Sequence, residues 1–421
     1  MNRPRVLLIA QNHPELVPGG TEIVARDLFR ALKAAGRAEA LFLACVTRLH
    51  RPPRPEGLLQ TLAGAHDELL LWTGRYDRFL MSRLDPEAFA ATIGRLLEAF
   101  RPDIVHLHHL SRIGPEVLPL IRRLRPAARL VVTLHDYAAI CANGGLMTKR
   151  PAGELCRAAS PDACRGCFPE IPFERFGLRR LHLLNLLSCV DRFLAPSHFL
   201  KGRYVAWGLA AERIEVVPNA VPTAPTLRPP GPELRHRFGF FGNVVPHKGL
   251  RVLLEAARQL AAQRADLRIV INGGLHFPEA GFAAEVAQGL RDAAAVARHA
   301  GIYARDELAG RMAEVGWVVV PSVWWENAPL VILEAFRHGR PVICSGIGGR
   351  AELVRDGIDG LHVRPGDAVG LAETLRRAAH EPGLWERLRA GLPTVPTLED
   401  QVERHHALYA DLLAAEESLC A

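Results

Sequence analysis

The apolar positions of this chain fall into two alternating signatures. The first is a short continuous apolar run that ends in turn residues, as strands buried on both faces of a parallel sheet require. Such runs stand at Arg5–Ala10, Ala40–Val46, Arg101–His109, Arg129–Leu134, Arg192–Ser197, Ile214–Asn219, Leu267–Asn272, Trp317–Val320 and Pro341–Gly349. The second is helical spacing: Ile23, Leu28, Ala31 and Leu32 share one face of a helix over 23–35, and further helices are predicted over 86–100, 250–263, 330–336 and about 398–416. The residues between Val46 and Pro86 read as irregular. Strand and helix alternating in this way predict an α/β chain built from two doubly wound, Rossmann-like domains, their glycine loops facing each other across a cleft.

The seam is compositional. Between 222 and 232 five prolines (Pro222, Pro225, Pro229, Pro230 and Pro232) stand among few apolar residues, which marks a linker. Expected domains are therefore 1–224, with an insert over 141–167, and 225–421, whose terminal helix returns to the first domain. At 421 residues the chain is too long for one core, and 49% apolar with 23% charged residues describes a folded protein. The formal charge of +7 is scattered. It suits an anionic substrate or an anionic membrane surface; basic runs interleaved with aromatics are absent, which excludes the nucleic-acid-binding classes. Met1–Ala10 is too short an apolar stretch for a signal peptide, and Leu181–Val190, the nearest approach to a membrane span, is broken by His182 and Asn185. The expected location is cytoplasmic. The amphipathic segment Phe173–Val190, with Arg175, Arg179 and Arg180, is compatible with contact at the inner face of a membrane, although one apolar face on a helix is more often core.

Candidate chemistry gathers at the carboxyl ends of the predicted strands, where open α/β sheets bind ligands. In Pro321–Phe336 two carboxylates, Glu326 and Glu334, bracket an almost wholly apolar run. Pro329 suits the first helical position with Asn327 or Ala328 as cap, so Glu326 falls in the loop and Glu334 on the helix. A carboxylate there needs hydrogen-bond donors, which sugar or ribose hydroxyls supply; Arg337 or Arg340 would serve Glu334 equally well on the helix alone. Gly19-Gly20 open a helix and let backbone approach an anion, and Gly242-Asn243 with Lys248 form a second such loop. A plain turn and a solvated lysine are the bland alternatives. His135-Asp136 ends a strand and is well placed for a ligand. His106 and His108 share a strand face, where hydrogen-bonding histidines are favoured over a metal site. Cys141, Cys156, Cys164 and Cys167 supply four of the eight cysteines within one loop, in which a structural zinc competes with free thiols.

Taken in order, these motifs resemble those of the retaining family 4 glycosyltransferases of two-Rossmann-domain (GT-B) architecture, over essentially the whole length. Glu326 and Glu334 match the E-x7-E motif, Lys248-Gly249 the K-G loop, Gly19-Gly20 the N-terminal glycine loop and Gly348–Val354 the G-G-x-x-E-L-V segment. The resemblance implies transfer of a sugar from a nucleoside diphosphate sugar to a glycan, lipid-linked or small-molecule acceptor, without a catalytic metal or other cofactor. In it Glu326 contacts the sugar hydroxyls, Glu334 the ribose and Lys248 the diphosphate, the backbone of Asn327, Ala328, Pro329 and Leu330 packs on the sugar, and His135 faces the sugar from the first domain. The Cys-rich insert is similar to one in a subset of these enzymes. One position departs from the family: the arginine common after the phosphate-loop glycine is Asn243, which leaves Lys248 and helix termini with more of the leaving-group charge. No D-x-D motif is present, and no carboxylate is placed as a covalent nucleophile, so direct front-face transfer is expected. The alternatives are a nucleotide-sugar epimerase or phosphorylase of the same architecture, and a catalytically silent partner subunit.

Overall fold

The computed structural model describes residues 3–47, 57–62, 64–223, 231–275 and 280–420; most of the proline-rich stretch, 224–230, lies outside them. The chain forms two compact units, Met1–Ala220 together with Thr397–Ala421, and Val221–Pro396.

In the first unit the strands are β1 (Arg5–Ala10), β2 (Glu39–Val46), β3 (Leu59–Leu62), β4 (Ala65–Trp72), a two-residue pair β5 (Tyr76–Asp77) and β6 (Ser82–Arg83), β7 (Ile104–Leu107), β8 (Arg129–Thr133), β9 (Arg192–Ala195) and β10 (Ile214–Val216). Its helices are α1 (Gly20–Ala34), α2 (Pro86–Phe100), α3 (Val117–Leu124), α4 (Pro161–Cys167), α5 (Phe173–Leu187) and α6 (His198–Trp207). The main sheet runs β10-β9-β8-β7-β1-β2-β4-β3, parallel except where β3 returns along β4. The chain reverses direction across the sheet between β1 and β7, so that pair is its switch point.

The second unit holds β11 (Arg237–Phe241), β12 (Arg268–Asn272), β13 (Ala297–Gly301), β14 (Trp317–Val320), β15 (Val342–Ser345) and β16 (Gly360–Val363). Between and after them run α7 (Leu250–Ala262), α8 (Ala280–Asp292), α9 (Leu308–Ala313), α10 (Leu330–Arg337), α11 (Gly349–Leu353), α12 (Ala368–His380) and α13 (Leu384–Ala390). Its sheet order, β13-β12-β11-β14-β15-β16, is the Rossmann order 3-2-1-4-5-6, with the switch point between β11 and β14. Trp317, Val318, Val319 and Phe238 are buried on these two central strands, which explains why they lack polar alternation.

The last helix, α14 (Leu398–Cys420), belongs to the first unit. It packs on α1, and Val402, Leu408, Tyr409 and Leu412 join the same core as Val6, Leu8 and Phe29. Tyr409 also hydrogen-bonds His106 at 2.7 Å, which fastens the end of the chain to the middle of the sheet.

Three elements differ from the sequence expectation. The stretch read as irregular contains β4, at whose centre Glu68 is buried; the acid is satisfied by His13, Arg26 and Arg30, so a charge stands where an apolar residue was expected. Pro329 sits just before α10 with ψ of 124°, and the helix opens at Leu330. On α5, Arg179 is buried and donates to the carbonyls of Phe79, Ala138 and Ala139, so it works inside the fold while Leu178 and Leu181 are exposed. Among the described residues no helix is long and apolar enough to cross a membrane.

Candidate functional site

At the switch point of the second unit two loops leave the carboxyl ends of adjacent parallel strands. One follows β11 and carries Gly242, Asn243 and Lys248; the other follows β14 and carries Glu326 and Asn327. Glycine is required where these loops meet. A Cβ on Gly249, which has φ of +79°, would stand 2.0 Å from the carbonyl oxygen of Pro321, and one on Gly273 would stand 1.8 Å from that of Gly242. The amide of Val323 donates to the His247 carbonyl at 3.0 Å. With the backbones locked together, Lys248 Nζ pairs with Glu326 Oε1.

Glu326 is only 3% exposed. Trp324 Nε1 donates to its Oε1 at 3.2 Å, and Arg350 Nη1 lies 3.5 Å from its Oε2. Burial pushes the carboxyl up, but the charges of Lys248 and Arg350 and the hydrogen bonds from Lys248 and Trp324 outweigh it and hold the group at about 2. The acid is therefore an anion throughout the neutral range. His247, beside it, is lowered to about 4 by burial and by the Lys248 charge, so it adds no second cation near neutrality.

Beyond Glu326 the backbone bends around a third glycine. Gly349 donates its N–H to the Glu326 carbonyl at 2.8 Å, and a Cβ there would stand 1.5 Å from the Asn327 oxygen. Ala328, Pro329 and Leu330 then lie half-exposed at the start of α10, whose first N–H groups have no partner within the helix. Glu334 is half-exposed one turn on. Arg337 donates to the carbonyls of Val395 and Pro396, and Arg340 to those of Met312 and His338. The Tyr303 hydroxyl has its pKa raised by burial and by the Glu334 charge, which places that ring near the acid.

The first unit supplies its own cluster at the carboxyl edge of its sheet. Gly19 precedes α1, whose Glu22 accepts from Asn12 at 2.7 Å inside the loop. After β8, His135 Nε2 shares a 3.2 Å hydrogen bond with His108 Nδ1. Burial, then the His109 charge, lower His135 to about 3, so its imidazole is neutral. Burial and neighbouring imidazoles also lower His106 and His108 well below the usual range. His106 is spent on the hydroxyls of Tyr409 and Thr133, both at 2.7 Å. Asp136 behaves differently from its neighbour. It pairs with His109 Nε2 at 2.7 Å and accepts from the Ala138 amide at 2.8 Å, which fixes the turn that holds His135.

Cys141, Cys156, Cys164 and Cys167 are half-buried and form no disulfide. Among the described residues no group of three or more His, Cys, Asp or Glu side chains is placed to hold a metal ion, although Cys141, Cys156 and Cys167 stand near enough to Cys164 for their charges, after burial, to push its thiol up. Metal analysis of the purified protein reads this directly, as about one zinc per chain for a structural centre or a substoichiometric trace for free thiols.

The structure thus brings Gly242, Asn243, Lys248, Glu326, Asn327, Ala328, Pro329, Leu330 and Glu334 to one edge of the second unit, and Gly19, Gly20 and His135 to one edge of the first. Trp324 and Arg350 were not singled out from the sequence. Arg350 occupies a variable position of the glycine motif, and only the pairing of β14 with β15 brings its loop to Glu326.

Two Rossmann-like domains of this order define the GT-B architecture. A solved structure of Anabaena Alr3699/HepE in complex with UDP and glucose shares the fold with a TM-score of 0.64 and 18% identity, covering 99% of each chain. Residues 18–225 match the model for Glycosyltransferase Family 4, and 235–381 that for Glycosyl transferases group 1. A D-inositol 3-phosphate glycosyltransferase of Frankia alni is 33% identical over 72% of this chain and 73% of its own. The lipopolysaccharide 1,2-N-acetylglucosaminetransferase of Salmonella typhimurium is 29% identical over 44% of this chain, and the match spans about half, 52%, of that enzyme. The chain belongs to the group 1, family 4 glycosyltransferases.

Proposed function

We propose that the chain is a retaining glycosyltransferase that moves a sugar from a nucleoside diphosphate sugar to a glycan, lipid-linked or small-molecule acceptor. The observation that carries this reading is the Lys248–Glu326 pair at the switch point of the second unit, beside the opening of α10. Departure of a nucleoside diphosphate builds negative charge on the leaving oxygen, and a pre-placed ammonium and the N-terminal end of a helix stabilise that charge where it forms. The ionised Glu326 accepts from sugar hydroxyls as the ring flattens towards an oxocarbenium ion. Glu334 accepts from the ribose. With the leaving phosphate taking the acceptor's proton, these steps call on no metal ion and no covalent intermediate. The acceptor is assigned to the loops of the first unit, whose relatives act by name on substrates as different as a lipopolysaccharide and an inositol phosphate.

Calorimetric titration with UDP, GDP and ADP tests the donor site. At least one is expected to bind to the wild type, and Glu334→Ala is expected to weaken that binding about tenfold through loss of a charge-assisted hydrogen bond. Unchanged affinity in Glu334→Ala would remove the ribose assignment.

A further inference from the structure

Glu326 has two cationic neighbours of different character. The Lys248 side chain is 32% exposed and ends a flexible stem, whereas the Arg350 side chain is fully buried. Arg350 is also anchored, its Nε donating to the Ser345 carbonyl and its Nη2 to the Trp324 carbonyl, each at 3.1 Å, with Nη1 turned to Glu326 Oε2 at 3.5 Å. One cation is free to swing towards a ligand; the other is not.

We propose that Arg350 is a positioning residue that serves as the fixed counter-ion of Glu326, so that Lys248 can leave the carboxylate for the donor's diphosphate. The inference rests on the nucleotide-sugar reading above. A buried carboxylate that loses its partner is strongly penalised, so a Lys248 that were Glu326's sole counter-ion would be held back from the diphosphate. With Arg350 in place the cluster has two cations and one anion. Lys248 then turns to the phosphates while Glu326 stays paired and aimed. The neutral, exposed Asn243 makes this hand-over the more important, because the loop that carries it offers its charge through Lys248.

The alternative is that Arg350 only braces two loops through the carbonyls it bonds. A double-substitution cycle separates the two roles. UDP is titrated into the wild type, Arg350→Met, Glu326→Gln and the Arg350→Met/Glu326→Gln pair, with thermal melting of each. Arg350→Met is expected to weaken UDP binding about tenfold or more, because Lys248 is retained by Glu326. In the Glu326→Gln background the same change should alter affinity by less than about twofold, since no anion remains to be compensated. An equal loss in both backgrounds would overturn the counter-ion role and leave Arg350 a brace. Should Arg350→Met fail to fold alone, the pair decides: a folded, UDP-binding pair supports the proposal and an unfolded one overturns it. A wild type that binds none of UDP, GDP and ADP is a separate outcome, visible before any substitution, and it would overturn both the donor reading and the hand-over.

Discussion

Replacing Lys248 by alanine is expected to lower turnover of the nucleotide sugar about a hundredfold or more, with a smaller effect on donor affinity. The ground-state diphosphate is bound by several groups, including the helix termini, so loss of one ammonium is partly covered. The charge that builds as the glycosidic bond breaks is new, and of the two cations beside Glu326 it is Lys248, partly exposed, and not the buried Arg350, that can reach it. Removing one pre-placed donor from such a site typically costs a factor of about a hundred to a thousand in kcat. Steady-state kinetics with kcat and KM resolved separately make the check. An effect confined to KM would mean that Lys248 binds the donor without stabilising its departure, and wild-type kinetics would remove it from the site.

Gly349→Ala is expected to be nearly as damaging, for a different reason. The added methyl would coincide with the Asn327 carbonyl, and Gly349 simultaneously donates its N–H to the Glu326 carbonyl. Neither loop can yield without displacing Glu326 or opening the start of α11. A stability loss of about 3 kcal/mol is expected from backbone overpacking of this kind. Thermal melting and UDP titration on the same variant test it: a melting temperature and an affinity both equal to wild type would show that the two loops are not held as tightly as the structure places them.

The strands and helices were legible where burial is uniform. Trp317–Val320 and Arg5–Ala10 read as central strands because both faces of a parallel sheet are covered. β4 was hidden because Glu68 carries a charge into its middle, and its three basic partners lie far away in sequence. β13, Ala-Arg-His-Ala-Gly, lies at the sheet edge and has too little apolar content to announce itself. The residues of the donor site were legible as loops and motifs, but not their partners. Whether Glu326 would meet a ligand, a lysine or an arginine depended on strand order: Lys248 is 78 residues away and reaches it only because β11 lies beside β14. Likewise the His135-Asp136 pair reads as one unit in sequence, yet in the fold the two side chains turn to different histidines, His108 and His109.

Cleavage of a nucleotide sugar by the residues at the edge of the second unit is the property that decides the function of this chain. Incubation with a panel of uridine, guanosine and adenosine diphosphate sugars, followed by release of the nucleoside diphosphate, measures this. Release from at least one donor, reduced about a hundredfold in Lys248→Ala, is the predicted result. Release from none of them, with no thermal shift on adding any donor, would contradict it.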